Sequence, residues 1–467
     1  MVFSSMIFLC GFLPVLLLLY YVCPSKLKNG LLLIGSLFFY SWGEPVYVVI
    51  MILSTIFDYC NGRLIEYFRT NGNRKIAMRV VLIVSLVGNL GILGFFKYTD
   101  FLLQSVNSIT GTNIELLHLA LPIGISFYTF QTLSYTIDVY RGLIPAQKNI
   151  VSFGMYVALF PQLIAGPIVR YSDIQQQMEN RIISYDCCQR GMERFLIGLG
   201  KKVILANQIG ALWSQIQELE GGDMSMAIAW LGAIAYTFQI YYDFSGYSDM
   251  AIGLGQMLGF NFPENFKYPY ESKSITEFWR RWHITLGSWF REYVYIPLGG
   301  NRKGLSRQIF NLLIVWFLTG LWHGAGWNFI GWGMYYFVFL VLEKTILLKC
   351  LKKIPSILQH LYSMLVIILG WVVFSNDDIK SIGKWIKAMF GAGVPLVNDL
   401  AIYEWSSYAI LLGILAIGAT SIPKKFVRKV LKGTGDWVLS LYTFVLLLVS
   451  IAFLISGTYN PFLYFRF

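Results

Sequence analysis

The chain has 467 residues, 56% hydrophobic and 13% charged, with a mean hydropathy of +0.58. Soluble domains carry about 25% charged residues, so water is not the solvent for most of this surface. The net charge of +12 then reads as loop lysines and arginines that set membrane topology, not as a nucleic-acid footprint.

The first 25 residues carry no charge. A secretory signal starts with a basic stretch, so this run reads as an uncleaved first span, N-terminus outside, with Lys26 and Lys28 inside. A bilayer core about 30 Å thick takes about 20 apolar residues as a helix. Further apolar runs follow at residues 30–57, 80–96, 116–137, 150–169, 203–217, 224–242, 308–342, 354–376, 405–423 and 437–465. With hairpins allowed in the longest, they predict an all-α polytopic membrane protein of about 11 transmembrane helices, with interfacial and re-entrant helices besides. No soluble domain and no internal repeat stands out. Basic clusters within 63–79, 344–353 and 424–432 read as cytoplasmic loops, which leaves the C-terminus outside. The topology of residues 138–223 does not follow from charge. None of the six cysteines forms a CxxC pair, so neither a disulfide nor a zinc site is inferred.

Two stretches interrupt the pattern. Phe160-Pro-Gln-Leu-Ile-Ala-Gly-Pro167 is apolar but punctuated by Pro161, Gly166 and Pro167. It either lines an interior path, where non-helical backbone is tolerated, or is a proline-kinked span. Residues 243–307 are the longest polar interruption. Asp243 and Asp249 at its start read as a solvated cap ending a span. Further on, Trp279, Trp282, Trp289 and Tyr293 interleave with Arg280, Arg281, Arg291 and Glu292, an amphipathic surface suited to the membrane interface.

His323 stands in Thr319-Gly-Leu-Trp-His-Gly-Ala-Gly-Trp-Asn328, inside the uncharged run 308–342. With both ends cytoplasmic, the run is a hairpin whose arms, 308–321 and 325–342, reach roughly 21 and 27 Å. Gly320, Gly324 and Gly326 supply a flexible turn, and His323 lies near the tip, deep in the membrane and approachable from outside. An ionisable group at that depth points to function; the plainer reading is a neutral, hydrogen-bonded core histidine. Trp322 and Trp327 either pack or wall a narrow pocket. A buried, neutral imidazole can act as a general base on a hydroxyl. No G-x-S-x-G, HExxH or Walker motif is present, which leaves acyl transfer or proton-coupled transport.

Trp322-His323 within its glycine- and tryptophan-rich hairpin resembles the signature of membrane-bound O-acyltransferases. Glu277-Phe-Trp-Arg-Arg-Trp-His-Ile284, Tyr295-Ile-Pro-Leu-Gly-Gly-Asn-Arg302, Tyr242-Asp-Phe-Ser-Gly-Tyr-Ser-Asp249, the 160–167 segment and Pro461-Phe-Leu-Tyr-Phe-Arg-Phe467 are similar to the bacterial alginate O-acetyltransferase branch, over residues 120–467. The resemblance implies one membrane-embedded domain across 1–467, with a catalytic core at 240–345 and a ring of helices around a central tunnel. It implies His323 and His283 as catalytic residues. Trp282, Trp322, Trp327, Asn328, Arg280, Arg281 and Arg291 become candidates for lining the donor site or tunnel. The arginines suit the phosphates of acetyl-CoA, or else contact anionic lipid; Asn328 would orient His323 or polarise a carbonyl. The implied donor substrate is cytosolic acetyl-CoA, with no permanently bound cofactor and no metal. The acetyl group would pass to an extracytoplasmic partner acetyltransferase that modifies an extracellular polysaccharide. D-alanyl transfer to teichoic acid and proton-coupled lipid or sugar transport are the alternatives. His118 and His360 read as structural.

Overall fold

The computed structural model of the protein describes residues 1–219, 222–431, 437–457, 459–461 and 463. Every helix or strand assigned among them is a helix. Among the described residues, seven helices are long and apolar enough to cross a membrane: Val48–Thr70, Lys75–Thr110, Tyr185–Gln217, Leu305–His323, Ser356–Ser375, Asp399–Gly418 and Trp437–Ser456. Many of their apolar side chains are uncovered, among them Ile76, Val80 and Val87, Ile410, and Phe444 and Ile455. Such faces are costly in water and at rest in hydrocarbon. The protein is an all-α, multi-pass membrane protein.

Proline and glycine divide several of the apolar runs. The run 30–57 becomes Lys28–Ser41 and Val48–Thr70, parted at Gly43-Glu44-Pro45, where proline lacks the N–H a continuing helix needs. Of the run 116–137, only the part inside Ile125–Arg141 is helical.

The chain forms two compact units. The first comprises Met1–Phe195 and Met250–Pro263. Its helices Val48–Thr70, Lys75–Thr110 and Ile125–Arg141 surround Asp58, which is fully buried. Asp58 accepts from Ser85 Oγ at 2.7 Å and from Asn89 Nδ2 at 2.8 and 2.9 Å. A buried carboxylate is tolerable only when its lone pairs are met in this way. The proline-punctuated stretch here is a break and not a kink. Ile150–Ala158 stops, Phe160–Leu163 makes a single turn, and residues 164–169 are irregular and buried. Side chains take over from the helix: Gln162 Nε2 donates to the Tyr156 carbonyl at 2.6 Å and Tyr156 Oη to that of Val169 at 3.1 Å. Irregular backbone is tolerated at membrane depth when protein covers it.

The second unit comprises Leu196–Asp249 and Glu264–Phe467. Here the expected solvated cap at Asp243 and Asp249 is absent. Helix Met226–Met257 runs straight through both residues. Asp243 is 2% exposed and pairs with Lys202 at 2.5 Å, while Lys201 pairs with Asp249 at 2.6 Å. Lys202 also donates to the Pro461 carbonyl, and Leu463 N donates to Asp243 Oδ2 at 3.0 Å. These partners are distant in sequence, so the aspartates look like a helix end until the fold supplies the lysines. Of the terminal 461–467 motif, residues 462 and 464–467 lie outside the described residues, as does residue 432 of the last basic cluster.

Candidate active site

The run around His323 folds as two antiparallel helices, Leu305–His323 and Trp327–Leu342. His323 is the last residue of the first arm, beside the turn at 324–326. The glycines of the expected turn supply room. Gly320 is inside the helix, and a Cβ there would stand 2.5 Å from the Phe329 carbonyl oxygen of the other arm. Gly324 and Gly326 have φ of −168° and −160°, open to any residue, but a side chain on Gly324 would run into the Phe329 ring. The arms touch backbone to backbone, the usual use of small residues between membrane helices.

His283 sits at an elbow. Ser274 accepts from Glu277 N at 3.1 Å and starts the helix Ile275–Arg281. Trp282 is extended, His283 takes the left-handed conformation (φ 44°, ψ 53°), and Ile284–Phe290 follows. The interleaved tryptophans and arginines therefore do not form the single interfacial helix expected from their spacing. The elbow turns Trp282 and His283 inward, to 3% and 2% exposure. A left-handed L-residue costs roughly 1–2 kcal/mol, and Asn265 holds it in place. Its backbone carbonyl accepts from Ile284 N at 3.0 Å. Its Oδ1 faces His283 Nδ1 at 3.0 Å, Thr285 Oγ1 at 3.0 Å and Thr285 N at 3.4 Å.

That last contact fixes a protonation state. A backbone N–H can only donate, so the Asn265 atom facing it is an oxygen, and His283 donates to it from Nδ1. Burial pushes the His283 pKa down to about 3. The neutral ring then keeps its lone pair on Nε2, which is buried and has no hydrogen-bond partner among the described residues. A neutral imidazole with one nitrogen anchored and the other open is the form a general base requires.

Both histidines pack against one tryptophan. The Trp322 ring lies 5.8 Å from that of His283 and 5.0 Å from that of His323, centroid to centroid. Phe244 packs edge-on to His283 at 4.8 Å. Trp332 and Phe374 pack edge-on to His323 at 5.0 and 5.4 Å. Trp282 joins this shell through Trp371 at 4.8 Å, which reaches Trp332 at 6.1 Å. Asn328, 4% exposed, lies just past the turn, its Nδ2 without a hydrogen-bond partner among the described residues. The remaining candidates are less buried. Trp327 is 57% exposed. Arg281 is committed to Glu277 at 2.7 Å and Glu271 at 3.5 Å. Arg291 lies beside Glu292 at 3.7 Å, and Arg280 is exposed. His118 is exposed, and His360 Nδ1 donates to the Ser272 carbonyl at 3.2 Å. Asn265 was not singled out from the sequence, because no local pattern marks an asparagine 18 residues before the histidine it holds.

The family model for the membrane-bound O-acyltransferase family matches residues 143–354. The chain is 43% identical to a probable alginate O-acetylase AlgI of Azotobacter vinelandii, over 89% of this chain and 83% of that protein. It is 38% identical to a probable alginate O-acetylase AlgI of Pseudomonas putida over 100% of both chains. With the peptidoglycan O-acetyltransferase of Helicobacter pylori it shares 34% identity, over 100% of this chain and 98% of that protein.

Proposed function

Since the chain belongs to the membrane-bound O-acyltransferase family and is an acyltransferase, we propose that it moves acetyl groups from cytosolic acetyl-CoA across the cell membrane for O-acetylation of an extracellular polysaccharide, through an extracytoplasmic partner acetyltransferase. The observation that carries this reading is the pair of buried histidines on one tryptophan, His283 with its open nitrogen and His323 at the hairpin turn. The relatives named for alginate and peptidoglycan O-acetylation support a polysaccharide end point.

In the reaction, an acceptor hydroxyl oxygen attacks the thioester carbonyl carbon. An ester C–O bond forms, the C–S bond breaks, and its electron pair leaves on sulfur. His323 takes the hydroxyl proton, which ends on the departing thiolate as the free thiol of CoA. His283 Nε2 is a second neutral nitrogen that relays a proton beside it. The aromatic shell excludes water and so limits loss of acetyl by hydrolysis. Asn328 Nδ2 is a donor suited to the carbonyl oxygen as charge develops on it. Of the arginines, Arg280 and Arg291 suit the donor's phosphates, while Arg281 is structural. Residues 240–345 form the catalytic core of a single membrane-embedded domain. The basic loops face the cytosol, which puts both termini outside.

The test is polymer acetylation in cells carrying H323A or H283A at matched expression. Both should abolish it. Wild-type acetylation by H323A ends the catalytic assignment.

A further inference from the structure

Glu343 begins the π-helical turn Glu343–Leu347 that continues the second arm of the hairpin, and is 1% exposed. Among the described residues its carboxylate pairs with no cation. It receives four donors from elsewhere in the unit. Oε1 accepts from Ile275 N at 2.6 Å and from Tyr362 Oη at 3.3 Å. Oε2 accepts from Thr276 N at 2.8 Å and Thr276 Oγ1 at 2.6 Å. Ile275 and Thr276 are the first two residues of the seven-residue helix that leads to Trp282 and His283. One carboxylate on the arm that follows His323 therefore grips the start of the segment that presents His283.

That short helix also meets the hairpin through aromatic rings. Trp279 packs edge-on to Trp316 at 4.7 Å, Trp332 at 5.5 Å and Tyr336 at 4.8 Å. Ring faces resist separation but set register weakly, because dispersion has no direction. Short charge-assisted hydrogen bonds are directional. Asn265 holds the His283 end, and Glu343 holds the other. The geometry assigns Glu343 as a positioning residue that sets the register of the Ile275–Arg281 helix against the hairpin, and so places His283 relative to His323. This rests on the catalytic reading of the two histidines. A carboxylate is required because backbone N–H groups and a hydroxyl converge on both oxygens. A glutamine would turn an amide donor toward one of those donors.

The experiment compares wild-type enzyme with E343A, E343Q, E343D and H283A in membranes given labelled acetyl-CoA. Label reaching polymer is counted per unit of folded protein. E343A should lose about ten- to a hundredfold in kcat, with KM for acetyl-CoA little changed, because the Glu343 carboxylate is buried and spent on those four bonds. E343Q and E343D should recover part of the loss. If E343A does not accumulate, T276V serves, since it removes one donor and leaves the carboxylate in place; its kcat should fall while its expression holds. A lower melting temperature with wild-type kcat in the folded fraction would make Glu343 merely structural and overturn the proposal. If H283A loses transfer while every Glu343 variant keeps it, the Glu343 role fails alone. If H283A keeps wild-type transfer, the catalytic reading beneath it fails first.

Discussion

Replacing Asn265 with alanine should disarm His283 without altering it. The amide oxygen takes bonds from His283 Nδ1, Thr285 Oγ1 and Thr285 N at 3.0, 3.0 and 3.4 Å. Each is worth about 1 kcal/mol net, and a buried donor left unpaired costs about 1–3 kcal/mol. Asn265 also offsets a left-handed residue that costs roughly 1–2 kcal/mol. With the longest bond discounted, the variant should lose about 2–4 kcal/mol of stability. The chemical effect is separate. Without its acceptor, Nδ1 no longer holds the proton in preference to Nε2; a bias of about 1.4 kcal/mol is a factor of ten. An untethered elbow can also shift the ring, and an ångström of displacement costs about a hundredfold in rate. The expected kcat for acetyl transfer, per folded enzyme, is about ten- to a hundredfold below wild type. N265D accepts the same three bonds and should stay above N265A. The assay is labelled acetyl transfer alongside a melting curve in detergent. Wild-type kcat in folded N265A would refute the tautomer argument, whatever happens to its melting temperature.

His283 has a positive φ, so H283G should melt above H283A, by roughly 1 kcal/mol of stability, though both lack the imidazole. A Cβ at Gly320 meets a backbone oxygen that no rotamer change can move, so G320A should part the arms, cost about 1–3 kcal/mol and lower acetyl transfer. K202M strands Asp243 and should cost about 3–5 kcal/mol, while the double variant K202M/D243L should regain most of it in the same melting assay. With a folded-state pKa of about 3 against roughly 6.5 when unfolded, His283 brings no penalty above pH 6.5. Stability is lost as pH falls from there toward 3, by about 2 kcal/mol at pH 5, because the unfolded chain binds a proton the fold refuses. Melting of H283Q should therefore fall less than wild type between pH 7.5 and 5.

Composition and run length carry the membrane class, because a hydrocarbon solvent demands apolar surface wherever the chain meets it. Hairpin arithmetic likewise puts His323 at a turn, since charge at both ends of an uncharged run leaves few other ways to fold it. What run length cannot show is where a buried helix breaks or continues. The 150–169 run stops at Ala158 because Gln162 and Tyr156 satisfy its carbonyls from the side. The Met226–Met257 helix passes Asp243 because Lys202 lies opposite it. Both outcomes depend on partners that local pattern does not reveal.

The same limit governs the site. As separate motifs, His283 in a tryptophan–arginine stretch and His323 in an apolar hairpin suggest two stations on a path, one at the interface and one at depth. The elbow removes that separation. Once Trp282 and His283 turn inward, both imidazoles lie against Trp322, while Arg281 stays with Glu271 and Glu277 and Arg291 with Glu292. On the proposed mechanism, a proton taken from an acceptor hydroxyl at His323 would have a second imidazole against the same indole. If the histidines worked at distant stations, altering how one is held would slow a step the other does not share. If they share one site, as proposed, loosening Asn265 or Glu343 should lower the same kcat that H323A lowers.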